Sequence, residues 1–278
     1  MSDSGPLLLV EVADRVATLT LNRPDVRNAL NRALGDALWE AVAAAGADTA
    51  VDVVVLTGAY PAFCAGVDLK EVAAGDGSAT SVIDTPGQRP GRDVNGLYRF
   101  IPVIDKPIIA AVNGVCVTGG LELALQCTLR VASERARFGD THARVGIMPG
   151  GGMTVLLAQA VGWARAVQMS LTGDFIDAAT ALQWGLVNHV VAHDELLPFA
   201  HNLAAHIASN DQDGVRRLLQ HYRRIANATT LDEAHLMEGY LAETWAAGTR
   251  HVGARLDDVV ARGRVQNSGA QTSGAQHS

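Results

Sequence analysis

The sequence predicts an α/β fold, and three observations carry that reading. Two short runs, residues 51–56 and 108–112, are mostly apolar and rich in β-branched or small residues, and end at turn pairs, Thr57-Gly58 and Asn113-Gly114. That pattern belongs to strands buried on both faces of a parallel sheet. Between the first hairpin and the first of these runs, Leu34, Leu38, Val42 and Ala45 recur at helical spacing from Asn31 to about Ala45. Beyond about residue 152 the periodicity is helical throughout, so a helical C-terminal part follows the mixed core.

Taken in order, residues 7–21 alternate apolar and polar around Asp14-Arg15, a hairpin signal broken by Asn22-Arg-Pro. The helix from Asn31 separates this hairpin from the 51–56 strand. Strands joined through helices imply right-handed βαβ connections. Residues 73–93 are rich in Gly, Ser, Thr, Asp and Pro and read as a long mobile loop within the domain. Helices are expected at roughly 153–161, 163–171, 177–184, 195–209, 212–226 and 231–247. The Gly/Ser/Gln/Asn-rich segment 265–278 reads as a disordered tail. The expected organisation is an α/β core over 1–195, a helical packing or oligomerisation region over 196–264, and that tail.

Bulk composition narrows the function. The 278 residues are 48% hydrophobic and 18% charged, enough for a sizeable core. A formal net charge of −7 argues against a general nucleic-acid surface. Cys64, Cys116 and Cys127 are an odd number in small or apolar surroundings, which favours buried free thiols over disulfides. No charged-then-apolar signal opens the chain, and no run approaches the ~18 apolar residues of a membrane span. A cytoplasmic protein acting away from membranes is the expectation.

Three blocks carry the chemistry: AFCAGVDLK at 62–70, IAAVNGVCVTGGLELA at 109–124, and FGDTHARVGIMPGGG at 138–152. Lesser echoes are NRP at 22–24, NALN at 28–31, LTGDFIDA at 171–178 and GLV at 185–187. In this order the set resembles the enoyl-CoA hydratase/isomerase (crotonase) superfamily over roughly residues 8–200. The resemblance implies a crotonase-like α/β spiral of repeated ββα turns with a helical C-terminal region. It also implies acyl-CoA thioester substrates, no metal, no cofactor beyond the coenzyme A of the substrate, and a homotrimer or a dimer of trimers.

Thioester chemistry at the α or β carbon places negative charge on the carbonyl oxygen, which two preorganised backbone N–H groups stabilise well. The resemblance assigns these donors to Val67 and Gly119. The second assignment is also physical: Thr118-Gly119-Gly120 follows a strand and opens a helix, whose first N–H groups lack intrahelical partners. The bland alternative is a tight strand-to-helix turn. The resemblance further places coenzyme contacts at Ala65, Asp68, Leu69 and Lys70, with Lys70 near the phosphates, and at Arg27.

Glu122 sits one turn into that helix among apolar neighbours, where an unpaired buried carboxylate is costly, so a catalytic role is favoured over an outward-facing helix-start residue. It matches one of the two glutamates of the hydratases. The other should stand three residues after the glycine that follows phenylalanine, and that position is His142. Histidine can orient a water or shuttle a proton but is no second carboxylate. Asp140 offers a carboxylate two residues earlier, on the same face of a strand though at a different position. The leading expectation is hydration of a 2-enoyl-CoA by Glu122 with His142 as an auxiliary catalytic group. The His142 departure keeps other acyl-CoA chemistry open: isomerisation, decarboxylation, thioester hydrolysis, or binding without catalysis.

Other signals point elsewhere. His189 and His193 lack a ligand cluster, and the glycines at 150–152 lack the P-loop lysine, reading instead as a turn before the next helix. Arg216, Arg217, Arg223 and Arg224 read as a solvated or subunit-facing helix surface, and Met237, Tyr240, Leu241 and Trp245 as packing residues.

Overall fold

The computed structural model describes residues 5–74, 99–226, 228–245 and 252–267. Past Ala74 the expected 73–93 loop lies outside these residues, as does the tail beyond Asn267. The chain divides into two compact units, Met1–Asn210 and Asp211–Ser278.

The first unit begins with the hairpin β1 (Leu8–Ala13) and β2 (Val16–Leu21), paired antiparallel. Both turn residues take positive φ, Asp14 at 48° and Arg15 at 65°, which suits the right-handed twist of the flanking strands. Helix α1 (Arg32–Ala47) starts where the Asn31 side chain accepts from Leu34 N–H, and it buries Leu34, Leu38, Val42 and Ala45. These are the residues whose spacing predicts it.

Three ββ steps follow, each crossing from one sheet to another through a short turn. They are β3 (Val53–Gly58) into β4 (Ala62–Cys64), β5 (Ile108–Val112) into β6 (Val115–Val117), and β7 (Leu129–Ser133) into β8 (Arg137–Gly139). Helix α2 (Leu69–Ala74) follows β4, and α3 (Gly119–Gln126) follows β6. The result is the expected ββα spiral: a six-stranded sheet ordered β1-β2-β3-β5-β7-β10 and a smaller one ordered β4-β6-β8-β9. The β2–β3, β3–β5, β5–β7 and β7–β10 pairs are parallel, and β3 and β5 are buried throughout.

The region after residue 152 is not purely helical. Strands β9 (Ile176–Asp177) and β10 (His189–Val191) complete the two sheets, among the helices α4 (His142–Val145), α5 (Ala158–Val161), α6 (Trp163–Thr172) and α7 (Ala178–Trp184). These strands are two and three residues long and polar in part, so they owe their form to partners distant in sequence. Helix α8 (Leu196–Ala208), placed by sequence in the C-terminal region, lays Leu196, Ala200 and Ala204 on Val53, Val55, Ile109 and Val131 of the large sheet. The sheet's opposite face, α1, α3 and the small sheet enclose the main core, which includes Leu19, Leu56, Phe63, Leu121 and Phe138.

The second unit contains α9 (Gln212–Ile225), α10 (Leu231–Glu243) and α11 (Val252–Asn267), the last reaching three residues into the segment read as tail. Arg217, one of the basic residues of α9, donates to Leu241 O and Thr244 Oγ1 at the end of α10, a C-terminal cap. Leu241 is buried there, whereas Tyr240 is exposed.

Candidate active site

The site grows from the turn before α3. Thr118 takes φ 54°, ψ −121°, a conformation disfavoured for a side-chain-bearing residue, and its hydroxyl shares a 2.5 Å hydrogen bond with Thr141 Oγ1. Its backbone N–H is bonded to Gly139 O. This clamp aims the first turn of α3, beginning at Gly119, toward the loop after β4.

Gly66, at φ +93°, turns that loop. Leu30 bridges it in parallel fashion: Leu30 N–H donates to Gly66 O, and Asp68 N–H donates to Leu30 O. Val67 N–H therefore points the other way, and it meets no acceptor among the described residues. Gly119 N–H meets none either. A methyl group built on Gly119 would lie 3.3 Å from Val67 N, and one on Gly66 would lie 3.2 Å from Gly119 N. The structure thus brings the two expected oxyanion donors, Val67 and Gly119, to one point.

Glu122 stands three residues beyond Gly119, on the same face of α3 and 2% exposed. Its Oε1 accepts from Gly151 N–H at 2.8 Å and Met153 N–H at 3.1 Å. The glycine turn at 150–152 therefore serves to hold this carboxylate. Gln126, one turn further on, donates to Gly151 O and accepts from Phe100 N–H, which fixes that turn and places the Phe100 ring against the site. Burial pushes the Glu122 carboxyl above its ordinary range, against the opposing pull of His142 and the two backbone donors.

His142, 6% exposed, is brought to the other oxygen: Nε2 lies 3.9 Å from Glu122 Oε2. Its Nδ1 is 2.5 Å from Asp140 Oδ1, which also accepts the His142 backbone N–H at 3.2 Å. The strand expected through 140–142 ends at Gly139, and α4 begins at His142, so Asp140 folds back onto the histidine it precedes. Burial opposes ionisation of Asp140, yet the hydrogen bonds from His142 and Ser170 outweigh it and hold the carboxyl below the usual range.

The remaining sequence candidates lie on or beside the loop after β4. Ala65 N–H is bonded to Arg27 O, which keeps the exposed Arg27 beside that loop. Lys70 and Leu69 are exposed in the first turn of α2. The Asp68 carboxylate is committed to the chain itself: it pairs with Arg23 Nη2 at 3.1 Å and accepts from Lys70 N–H. Asn28, fully buried, donates to Ala59 O and Ala62 O and accepts from Arg23 N–H. Sequence reasoning passed over Asn28, Phe100, Gln126, Thr118 and Thr141 as site-forming side chains. Asn28, Thr118 and Thr141 fall within the motif blocks and echoes, whereas Phe100 and Gln126 lie outside them and gave no signal.

Two convergent backbone donors beside a buried carboxylate and an oriented imidazole are chemically suited to receiving developing negative charge and moving protons. The chain matches the family described as Enoyl-CoA hydratase/isomerase over residues 11–253. It is 44% identical over 201 residues to the 2,3-dehydroadipyl-CoA hydratase of Escherichia coli (strain K12), covering 72% of this chain and 75% of the relative. It is 37% identical over 210 residues to the crotonyl-CoA hydratase of Syntrophomonas wolfei, covering 75% and 78%. Among solved structures, an enoyl-CoA hydratase from Mycobacterium tuberculosis H37Rv is similar with TM-score 0.71 at 48% identity, covering 86% of this chain and 98% of that one. One from Bacillus anthracis reaches TM-score 0.79 at 32% identity, covering 93% and 96%. The chain belongs to the enoyl-CoA hydratase/isomerase family.

Proposed function

We propose that the protein adds water across the Cα=Cβ bond of a 2-enoyl-CoA thioester. The observation that carries the reading is the placement of Glu122 one helical turn beyond Gly119, whose N–H meets no acceptor among the described residues and is joined by Val67 N–H, with His142 facing the Glu122 carboxylate. The thioester oxygen sits on those two donors, so attack of water at Cβ builds enolate charge where backbone dipoles already point. Glu122 and His142 hold the water and handle its protons. Phe100, 4% exposed, helps keep bulk water from the pair.

Coenzyme A enters as part of the substrate, and the reaction so written uses no separate cofactor. Arg27 and Lys70 supply cations for its phosphates, with Ala65 and Leu69 along the same loop; Asp68 contributes by holding that loop through Arg23. The homotrimer or dimer of trimers implied by the family resemblance is supported by the exposed apolar side chains Met148, Trp163 and Leu171. Cytoplasmic location fits three buried free thiols. No helix among the described residues is long and apolar enough to cross a membrane.

The test is loss of the conjugated thioester absorbance when the purified protein meets crotonyl-CoA. Rapid loss that yields the 3-hydroxyacyl product supports the reading. Binding of crotonyl-CoA and longer 2-enoyl-CoA thioesters without hydration of any of them refutes it.

A further inference from the structure

The histidine at position 142 is held differently from a water-orienting bystander. A carboxylate only accepts hydrogen bonds, so the 2.5 Å contact with Asp140 Oδ1 places a proton on His142 Nδ1. In the neutral ring that leaves Nε2 as a bare acceptor, aimed at Glu122 Oε2 across 3.9 Å. That distance is too long for a direct hydrogen bond and leaves the two groups facing a common gap. Asp140 is itself fixed: it is 1% exposed and accepts the His142 backbone N–H. Thr141, between the two residues, is tied to Thr118 at the mouth of the oxyanion hole.

Glu122 is arranged for the complementary role. Its Oε1 is occupied by two backbone donors, so a proton on this carboxyl resides on Oε2, the oxygen facing His142. Its apolar burial favours the protonated form.

Resting on the hydratase reading, we propose that His142 Nε2 is the base and Glu122 Oε2–H the acid, with Asp140 the positioning residue that makes His142 a base. Water's oxygen bonds to Cβ as one of its protons passes to Nε2, and the Cα=Cβ electron pair moves into the thioester enolate. The enolate then forms its Cα–H bond with the proton of Oε2, restoring the thioester. His142 is left as imidazolium and Glu122 as carboxylate. The imidazolium returns its proton to Oε2 through the next water in the gap, and nothing further is consumed. Asp140 stabilises the imidazolium during the interval, as a buried carboxylate beside a catalytic histidine does.

The first experiment needs no substrate. Histidine-selective nitrogen-15 labelling, with the His142 signals assigned by their absence in His142→Gln, reads which ring nitrogen bears the proton. The expected result in the wild type is a protonated Nδ1 and a lone-pair Nε2. A proton on Nε2 in the neutral ring overturns the assignment whether or not the protein hydrates crotonyl-CoA.

The second is a cycle on turnover. Asp140→Asn should lower kcat by at least about tenfold with KM little changed in the wild-type background. In a His142→Glu background, where the second group is itself a carboxylate, the same change should leave kcat equal or raised. Equal fold losses in both backgrounds, or a loss confined to KM, would make Asp140 merely structural and overturn its positioning role. An inactive wild type would instead sink the hydration reading, leaving the nitrogen spectrum to judge His142.

Discussion

Replacing Glu122 with glutamine removes a titrating oxygen while preserving shape. The amide oxygen can still accept from Gly151 and Met153 N–H, the bonds that orient the carboxylate. The fold therefore survives, and only proton transfer is lost. General acid–base catalysis contributes about 10²–10⁴ in rate, or about 2.7–5.4 kcal/mol at ~1.36 kcal/mol per decade. Turnover of crotonyl-CoA by Glu122→Gln should fall within that span.

Stability should move the other way. Because burial raises the folded pKa of Glu122, the folded state keeps its proton after the unfolded chain has released it. The Glu122 contribution to stability is thus fully present below the ordinary glutamate value of 4.5 and is lost as pH rises through the folded value. Glutamine abolishes that slope, so the variant's Tm at pH 8 should equal or exceed the wild type's, with the comparison less favourable to the variant at pH 4. The assay is kcat by loss of enoyl absorbance, paired with thermal melts at both pH values. A rate loss below tenfold would remove Glu122 from proton transfer; a Tm lowered by several degrees at pH 8 would make the carboxylate structural.

Three further outcomes follow from the scaffold. In Gly120→Ala the new methyl would fall 2.1 Å from Cys64 O, a backbone atom that cannot step aside, so the cost should exceed the roughly 1–3 kcal/mol of ordinary overpacking, read as a marked drop in urea midpoint. Asn28→Ala strands the carbonyls of Ala59 and Ala62 and leaves alanine at φ 56°; about 1–3 kcal/mol of stability should go, read as a lowered denaturant midpoint. Lys106→Met deletes the buried ammonium that donates to Ala45 O and Asp48 O at the end of α1, costing about 3 kcal/mol in denaturant unfolding while leaving KM for crotonyl-CoA unchanged at 25 °C.

Much of the architecture was legible because its signals are local. The four apolar positions of α1 are spaced by the helix itself, and β3 and β5 are buried throughout and mostly apolar because helices or a second sheet cover both of their faces. The strands β9 and β10 escaped because two or three partly polar residues carry no period; they exist through pairing with β8 and β7. Of the candidate site, Val67 rested on the family resemblance, Gly119 also on its place at a helix start, and Glu122 on a lone charge among apolar neighbours. The Asp140–His142 contact was hidden by a strand reading that kept the two side chains apart in register. The chain instead leaves the strand at Gly139, and the turn through Asp140 and Thr141 into α4 brings the imidazole to the carboxylate. Phe100 and Gln126 come from segments 26 residues apart, and no spacing rule links them.

Glu122 Oε1 is gripped by two peptide N–H groups from the turn at 150–152 and the start of the next helix. Peptide donors are the same whatever side chain a position bears. Under genetic drift, Pro149, Gly150 and Met153 can exchange side chains without deleting either donor, provided proline does not replace Met153. Gly151 has no such latitude: any Cβ there would come within 2.6 Å of the Phe100 ring and 2.9 Å of the carboxylate it serves. Laboratory evolution toward new acyl groups should therefore accumulate changes around this turn while returning glycine at 151 in every active survivor.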